Sequence, residues 1–187
     1  MACHDVDVRP AFVALDRDGT VIDHVAYLHC VSDVSLLKGA GLAIRRLNDL
    51  AIPIYIVTNQ SVVGRGLIND QQLMEIHERL TDLLAEQGAY VDGIFYCPHV
   101  PEHCCDCRKP RPGLLLQAAE HASAEAASGV VIGDNLTDML MALAVGARAI
   151  HVQSGVISEW PNEYGIPSVL SLADAVDLLT GGSCRDI

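Results

Sequence analysis

A chain of 187 residues, half of them hydrophobic, is long enough to bury a substantial core as one domain, 1–187. Its net charge of -12, with only two lysines (Lys38 and Lys109), argues against nucleic acid as a partner, because that binding rests on many Lys and Arg contacts to phosphate. No apolar run approaches the ~20 residues of a membrane span, and "MACHDVDVRP" has neither a cationic start nor an apolar core; the expectation is a monomeric cytoplasmic protein with no membrane contact.

In chain order, "AFVAL" (11–15) predicts a first strand, helical spacing follows over 40–51, and "PIYIV" (53–57) predicts a second strand. The stretch "NDQQLMEIHERLTDLLAEQG" sets Leu73, Ile76, Leu80, Leu83 and Leu84 at helical spacing, opened by Asn69 or Asp70 as cap and closed by Gly88. Strands are expected again at 93–97, 129–133 and 148–152, with helices at 113–127, 137–146 and 171–180. Continuously apolar strands separated by helices predict an α/β fold, a doubly wound and mainly parallel Rossmann-like sheet covered on both faces. In such sheets the ligand sits beyond the carboxyl ends of the strands. The residues after each strand therefore carry the functional information.

After the first strand come Asp16, Arg17, Asp18, Gly19 and Thr20, and after the second Thr58, Asn59, Gln60 and Ser61. Arg108 and Lys109 follow the third, and Asp134, Asn135, Thr137 and Asp138 the fourth. This set suits phosphoryl transfer. Asp16 and Asp134 offer the hard oxygen ligands that Mg²⁺ prefers, and a carboxylate can attack phosphorus to form an aspartyl-phosphate. A second carboxylate two residues along, Asp18, can protonate the leaving oxygen and then activate water. Thr58 and Lys109 would hold the equatorial oxygens, where charge spreads in the transition state. Each part has a plainer reading: Asp-x-Asp-Gly also makes turns, and Thr58-Asn59 could cap a helix. A calcium loop fails on spacing, since Val21 and Tyr27 stand where Gly and Glu are required. Four such coincidences after four separate strands are hard to sustain.

The stretch "CPHVPEHCCDCRKPRPG" (97–113) raises a separate question. Seven cysteines are present, with Cys3, Cys30 and Cys184 scattered and four clustered. An odd count, adjacent Cys104 and Cys105, and a reducing compartment all favour a metal over disulfides.

"LDRDGT", "VTNQS", "CRKPRPG" and "VIGDNLTD" resemble the four motifs of the haloacid dehalogenase superfamily of aspartate-nucleophile phosphatases. The Cys/His loop joined to Arg-Lys-Pro is similar to that of its heptose-bisphosphate phosphatases and their relatives, the histidinol-phosphate phosphatases. The resemblance runs from about residue 12 to 155. It implies Asp16 as nucleophile, Asp18 as general acid/base, and Thr58 and Lys109 as phosphoryl stabilisers. It implies Mg²⁺ on Asp16, Asp134 and the backbone carbonyl of Asp18, and a substrate pocket drawn from Tyr27, Asn59, Gln60, Ser61, Arg65, Arg108 and Asn135. The last stands where some members carry a basic residue.

The resemblance also implies a structural Zn²⁺ on Cys97, His99, Cys105 and Cys107. The residues agree: C-x-H followed by C-x-C supplies four ligands for a tetrahedral ion, leaving His103 and Cys104 as spares. Many members carry a cap domain, but 21–52 and 61–108 leave no room for one, so an open site is expected. The implied activity is removal of the C7 phosphate of D-glycero-D-manno-heptose 1,7-bisphosphate, a small phosphorylated sugar. The competing expectations are a histidinol-phosphate or other small phosphomonoester phosphatase and, from another class, a zinc-loop interaction module. Such a module has no need of Asp16, Asp18, Lys109 and Asp134 together.

Overall fold

Among the described residues six strands run parallel in one sheet, and their order, third-second-first-fourth-fifth-sixth, puts the first near the middle. They are β1 (Val13–Leu15), β2 (Ile54–Asn59), β3 (Gly93–Cys97), β4 (Val130–Gly133), β5 (Arg148–Val152) and β6 (Ser168–Val169). The helices are α1 (Ala40–Asp49), α2 (Ser61–Gly64), α3 (Asp70–Glu86), α4 (Gly113–His121), α5 (Leu136–Leu143) and α6 (Leu172–Leu179). The computed structural model describes residues 9–155 and 164–181, so Cys3 and Cys184 lie outside the described residues. Among these, no helix is long and apolar enough to cross a membrane.

Strand side chains alternate between faces, and the alternation sorts the core in two. Val13, Leu15, Ile54, Ile56, Val130 and Ile132 pack with apolar residues of α1, α3 and α6. Ala14, Tyr55, Val57 and Val131 pack with those of α4 and α5 on the other side. A parallel strand buried on both faces has no polar face to show, which is why these stretches read as unbroken apolar runs. β1 pairs with β2 on one flank and β4 on the other. The chain winds outward from β1 in both directions, and the point of reversal is where a ligand crevice opens in such sheets.

Several boundaries differ from the sequence reading. β2 continues to Asn59, so Thr58 and Asn59 are its last residues, paired with Tyr96 and Cys97 of β3, rather than the start of a loop. α4 stops at His121 instead of 127, because Ser123 turns left-handed (φ 52°) and Ala126–Ser128 forms a separate 3-10 turn. α5 ends at Leu143 rather than 146, and Gly146 takes the left-handed conformation (φ 74°) beyond it. The four-residue α2 and two-residue β6 are too short for a periodic signal.

Between β1 and β2 the described chain forms α1 and a single 3-10 turn at Val31–Asp33, and between β2 and β3 only α2 and α3. Neither connection builds a further layer over the sheet edge. The edge stays open.

Candidate active site and metal knot

Asp16 follows β1 directly, its amide donating to the Ile132 carbonyl of β4 at 2.9 Å. Gly19, at φ 79°, then turns the chain so that its amide reaches the Ile22 carbonyl at 2.8 Å. A Cβ on Gly19 would stand 2.5 Å from Asp134 Oδ2, so only glycine fits this close approach. The turn brings Asp18 beside Asp16. Arg17 grips the Asp18 carboxylate through Nε (3.2 Å) and Nη2 (3.1 Å), and Gln60 Nε2 donates to it at 2.8 Å. The same Gln60 nitrogen lies 2.8 Å from Thr58 Oγ1, so two expected site residues share one amide.

Lys109 is 5 % exposed, and its ammonium reaches Asp16 Oδ1 (2.6 Å), Asp138 Oδ1 (2.5 Å) and the Val57 carbonyl (2.9 Å). Burial alone would lower its pKa, but the charges of Asp138 and Asp16 outweigh that and raise it. Asn59 clamps the lysine's backbone, accepting from its amide at 3.0 Å and donating to its carbonyl at 3.2 Å. The residue expected to face substrate thus also aims Lys109.

Asp138, to which the sequence reading assigns no role, joins the candidate site. It stands four residues after Asp134, and its Oδ2 accepts from the Asn135 amide at 3.2 Å. Asp134 lies just before the extended cap residue Asn135 (φ -121°, ψ 148°) and Asp138 in the first turn of α5, so helical periodicity does not announce the pair; the strand-to-helix turn brings them together. Oxygens of Asp16, Asp134 and Asp138 all lie within 4.8 Å of one another. Three buried carboxylates against one ammonium leave the site short of positive charge. Burial, then the charges of Asp16 and Asp138, push Asp134 up to about 8. Burial likewise pushes Asp138 up to about 7, with Lys109 opposing it. A hard divalent cation matches both the deficit and the oxygen donors.

A cavity of about 740 Å³ opens above this floor. Tyr27, Asn59, Gln60, Ser61, Arg108 and Asn135 line it, as expected, joined by His24, Arg17 and Thr137, which the sequence reading did not assign. Asn135 is partly committed to structure: its Oδ1 accepts from the Thr137 amide at 3.1 Å and caps α5. Arg65 does not line the cavity. Its guanidinium lies 5.8 Å over the ring of Tyr27, within cation–π reach, so it meets the site only through that ring.

The knot lies beside this wall. Cys97 ends β3, and its sulfur stands 3.5 Å from Cys105 Sγ, 3.3 Å from Cys107 Sγ and 3.6 Å from His99 Nδ1. His99 Nδ1 is 3.3 Å from Cys107 Sγ, and the two remaining sulfurs are 3.4 Å apart. Zn–S bonds of about 2.3 Å in a tetrahedron set ligand atoms about 3.8 Å apart, so the four could hold one tetrahedral ion. Burial pushes the Cys97 thiol up to about 12, and a cation would favour the thiolate that a metal site requires. Cys104 stands exposed and outside the set, while His103 packs its ring edge-on against His99, 5.6 Å between centroids. Arg108 donates to the His99 carbonyl at 3.0 Å, and Arg111 donates to the carbonyls of Cys104 and Cys105. The loop is thereby tied to the cation-bearing segment that follows it.

Comparisons with known proteins agree with this geometry. The family model described as HAD-hydrolase-like matches residues 106–174. A D-glycero-β-D-manno-heptose-1,7-bisphosphate 7-phosphatase of Haemophilus ducreyi is 40% identical over 174 residues, covering 88% of this chain and 95% of that protein. The chain belongs to the heptose-bisphosphate phosphatase family of haloacid dehalogenase-like hydrolases. Its relative of the same description in Escherichia coli K12 is 36% identical over 148 residues, 74% of this chain and 77% of that protein. Among solved structures, the heptose 1,7-bisphosphate phosphatase of B. bronchiseptica, complexed with magnesium and phosphate, aligns with a TM-score of 0.85 at 31% identity. That alignment covers 92% of this chain and 99% of the other. As a phosphatase of this family, the chain brings Asp16, Asp18, Thr58, Lys109 and Asp134 to the carboxyl edge of β1, β2 and β4, around one cavity.

Proposed function

We propose that the chain removes the C7 phosphate of D-glycero-β-D-manno-heptose 1,7-bisphosphate through an aspartyl-phosphate on Asp16. The observation that carries the reading is the buried floor, where Lys109 bonds Asp16 and Asp138 and the oxygens of Asp16, Asp134 and Asp138 lie within 4.8 Å of one another. The named activity of relatives covering most of the chain supports the sugar. The reading takes residues 1–187 as one catalytic domain, a cytoplasmic monomer acting on a small molecule, in keeping with a net charge of -12.

Mg²⁺ would be held by Asp16, Asp134 and the Asp18 carbonyl, and would draw charge from the phosphoryl oxygens as it develops. Lys109 and Thr58 bind equatorial oxygens and orient the phosphorus in line with Asp16. An Asp16 oxygen forms the new P–O bond while the bond to the C7 oxygen breaks, and Asp18 gives that oxygen its proton. Asp18 then takes a proton from water, whose oxygen attacks phosphorus, releasing phosphate and the free Asp16 carboxylate. A primary C7 phosphate reaches an open edge most easily, because its carbon is unhindered. The sugar and C1 phosphate then face outward, toward Tyr27 and Arg108. Zn²⁺ on Cys97, His99, Cys105 and Cys107 would stiffen the loop that presents Arg108 and Lys109.

Phosphorus NMR of the product tests the reading. The C7 resonance should disappear with the C1 phosphate retained, and Arg108→Ala should weaken the bisphosphate more than a monophosphate, by about 1–3 kcal/mol. Product with a free C1 hydroxyl and the C7 phosphate intact overturns it, as does faster turnover of histidinol phosphate.

A further inference from the structure

We propose that the turn after β5 is a positioning element for the cation-binding edge: Ser154 ties down the Asp18-Gly19 turn, and Gly155, by lacking a side chain, leaves the space in which the Asp134 carboxylate stands. The inference rests on the reading of Asp16 and Asp134 as ligands of a divalent cation. It adds two residues that act through those ligands.

Ser154 Oγ donates to the Gly19 carbonyl at 2.8 Å, a link across 135 residues of sequence. It fastens the loop that carries Asp18 to the turn after β5, two strands along the sheet from β1. On the same turn, a Cβ built on Gly155 would lie 1.7 Å from Asp134 Oδ2, 2.4 Å from its Cγ and 2.5 Å from its Cβ. Rotating the carboxyl group would not clear it, because the Asp134 Cβ stands in the way too. A Cβ on Gly19 would meet Asp134 Oδ2 at 2.5 Å and the Gly155 Cα at 3.0 Å. The Asp134 carboxylate is therefore pressed by Gly19 and by Gly155, with Asp16 and Asp138 beside it. Its backbone has little slack, since His151 Nε2 donates to the Asp134 carbonyl at 3.2 Å. The direction in which the carboxylate points is set by two glycines and a hydroxyl from elements remote in sequence. Groups behind a metal ligand tune its affinity by orienting it.

The test compares wild type, Gly155→Ala, Ser154→Ala, Ser154→Thr and Asp134→Asn by calorimetric titration of Mg²⁺ and by melting with and without Mg²⁺. Gly155→Ala should weaken Mg²⁺ by about tenfold to a hundredfold and lose the Mg²⁺-dependent rise in Tm, beyond any lowering of its Tm in chelator. Ser154→Ala should weaken Mg²⁺ by about tenfold, and Ser154→Thr, which keeps the hydroxyl, should restore it. Unaltered Mg²⁺ affinity in Gly155→Ala and Ser154→Ala overturns the proposal, even where both melt lower. If Gly155→Ala fails to fold, the Ser154 pair decides alone. Loss of Mg²⁺ binding in Asp134→Asn alone would sink this proposal and leave the cation reading standing. A wild type that binds no Mg²⁺ would sink both.

Discussion

Asp134, just before the cap of α5, and Asp138, in its first turn, share a buried site whose ammonium, on Lys109, already pairs with Asp16 and Asp138. Both carboxyls are raised from 3.8, to about 8 and about 7, so the fold favours their protonated forms. The stability they lend is present below about pH 3.8 and is lost as pH rises through their folded values. Calorimetry in chelator should therefore show Tm falling from about pH 5 to about pH 8, and saturating Mg²⁺ should flatten the fall. A Mg²⁺ effect that does not grow with pH would contradict this assignment. The two aspartates proposed as nucleophile and general acid should separate by the same titration. Asp16→Asn should abolish turnover and weaken Mg²⁺, since an amide is a poor nucleophile and a poorer ligand. Asp18→Asn should lower kcat by about 10²–10⁴ with Mg²⁺ affinity largely retained, because the proposed contact is through backbone. Steady-state kinetics of Asp16→Asn near the wild-type rate would end the mechanism.

At the scale of elements, the knot is a loop doing what a helix or strand does elsewhere: it fixes the direction of the chain that follows. Elemental analysis should find about one zinc per chain, and Cys105→Ser or Cys107→Ser should lose it. Structural zinc contributes directly to folding free energy, so those variants should also melt lower and lose activity together. Four reactive thiols with no zinc in the fresh protein would refute the site. The sequence was most legible where chemistry and spacing coincide. Asp16, Thr58, Lys109 and Asp134 each follow or end an apolar run, so sheet topology alone could bring them together. It was least legible where geometry depends on partners far away in sequence. Nothing around Arg17 announces that its side chain will turn back on Asp18. The commitment of Asn59 to the Lys109 backbone spans 50 residues. Arg65, implied as a pocket residue by the resemblance, stacks instead on Tyr27, whose left-handed backbone (φ 54°) no residue-type preference predicts.

For the molecule as a whole, the doubly wound sheet separates what is fixed from what can vary. The floor belongs to strand ends locked by hydrogen bonds, while Tyr27, 57 % exposed, stands on a loop of the rim. Tyr27→Ala should therefore raise KM for the sugar bisphosphate several-fold, on the order of the 0.5–1.5 kcal/mol of an aromatic contact, and leave kcat close to wild type. An equal fall in kcat would place Tyr27 in the chemistry instead. The register of the central strand sets one more quantity. Leu15 pairs with Ile56 on one side and Ile132 on the other, so Asp16 is level with Val57 and Gly133 and falls one residue short of Thr58 and Asp134. Asp16, the proposed nucleophile, thus lies at the bottom of a notch about 3.3 Å deep, one residue's rise along a strand. That depth is counted in whole residues by the hydrogen-bond lattice, so it cannot drift by fractions as surface loops change. On the proposed mechanism, reshaping the rim would alter which phosphate ester arrives, while the attacking oxygen of Asp16 would keep the same reach to each.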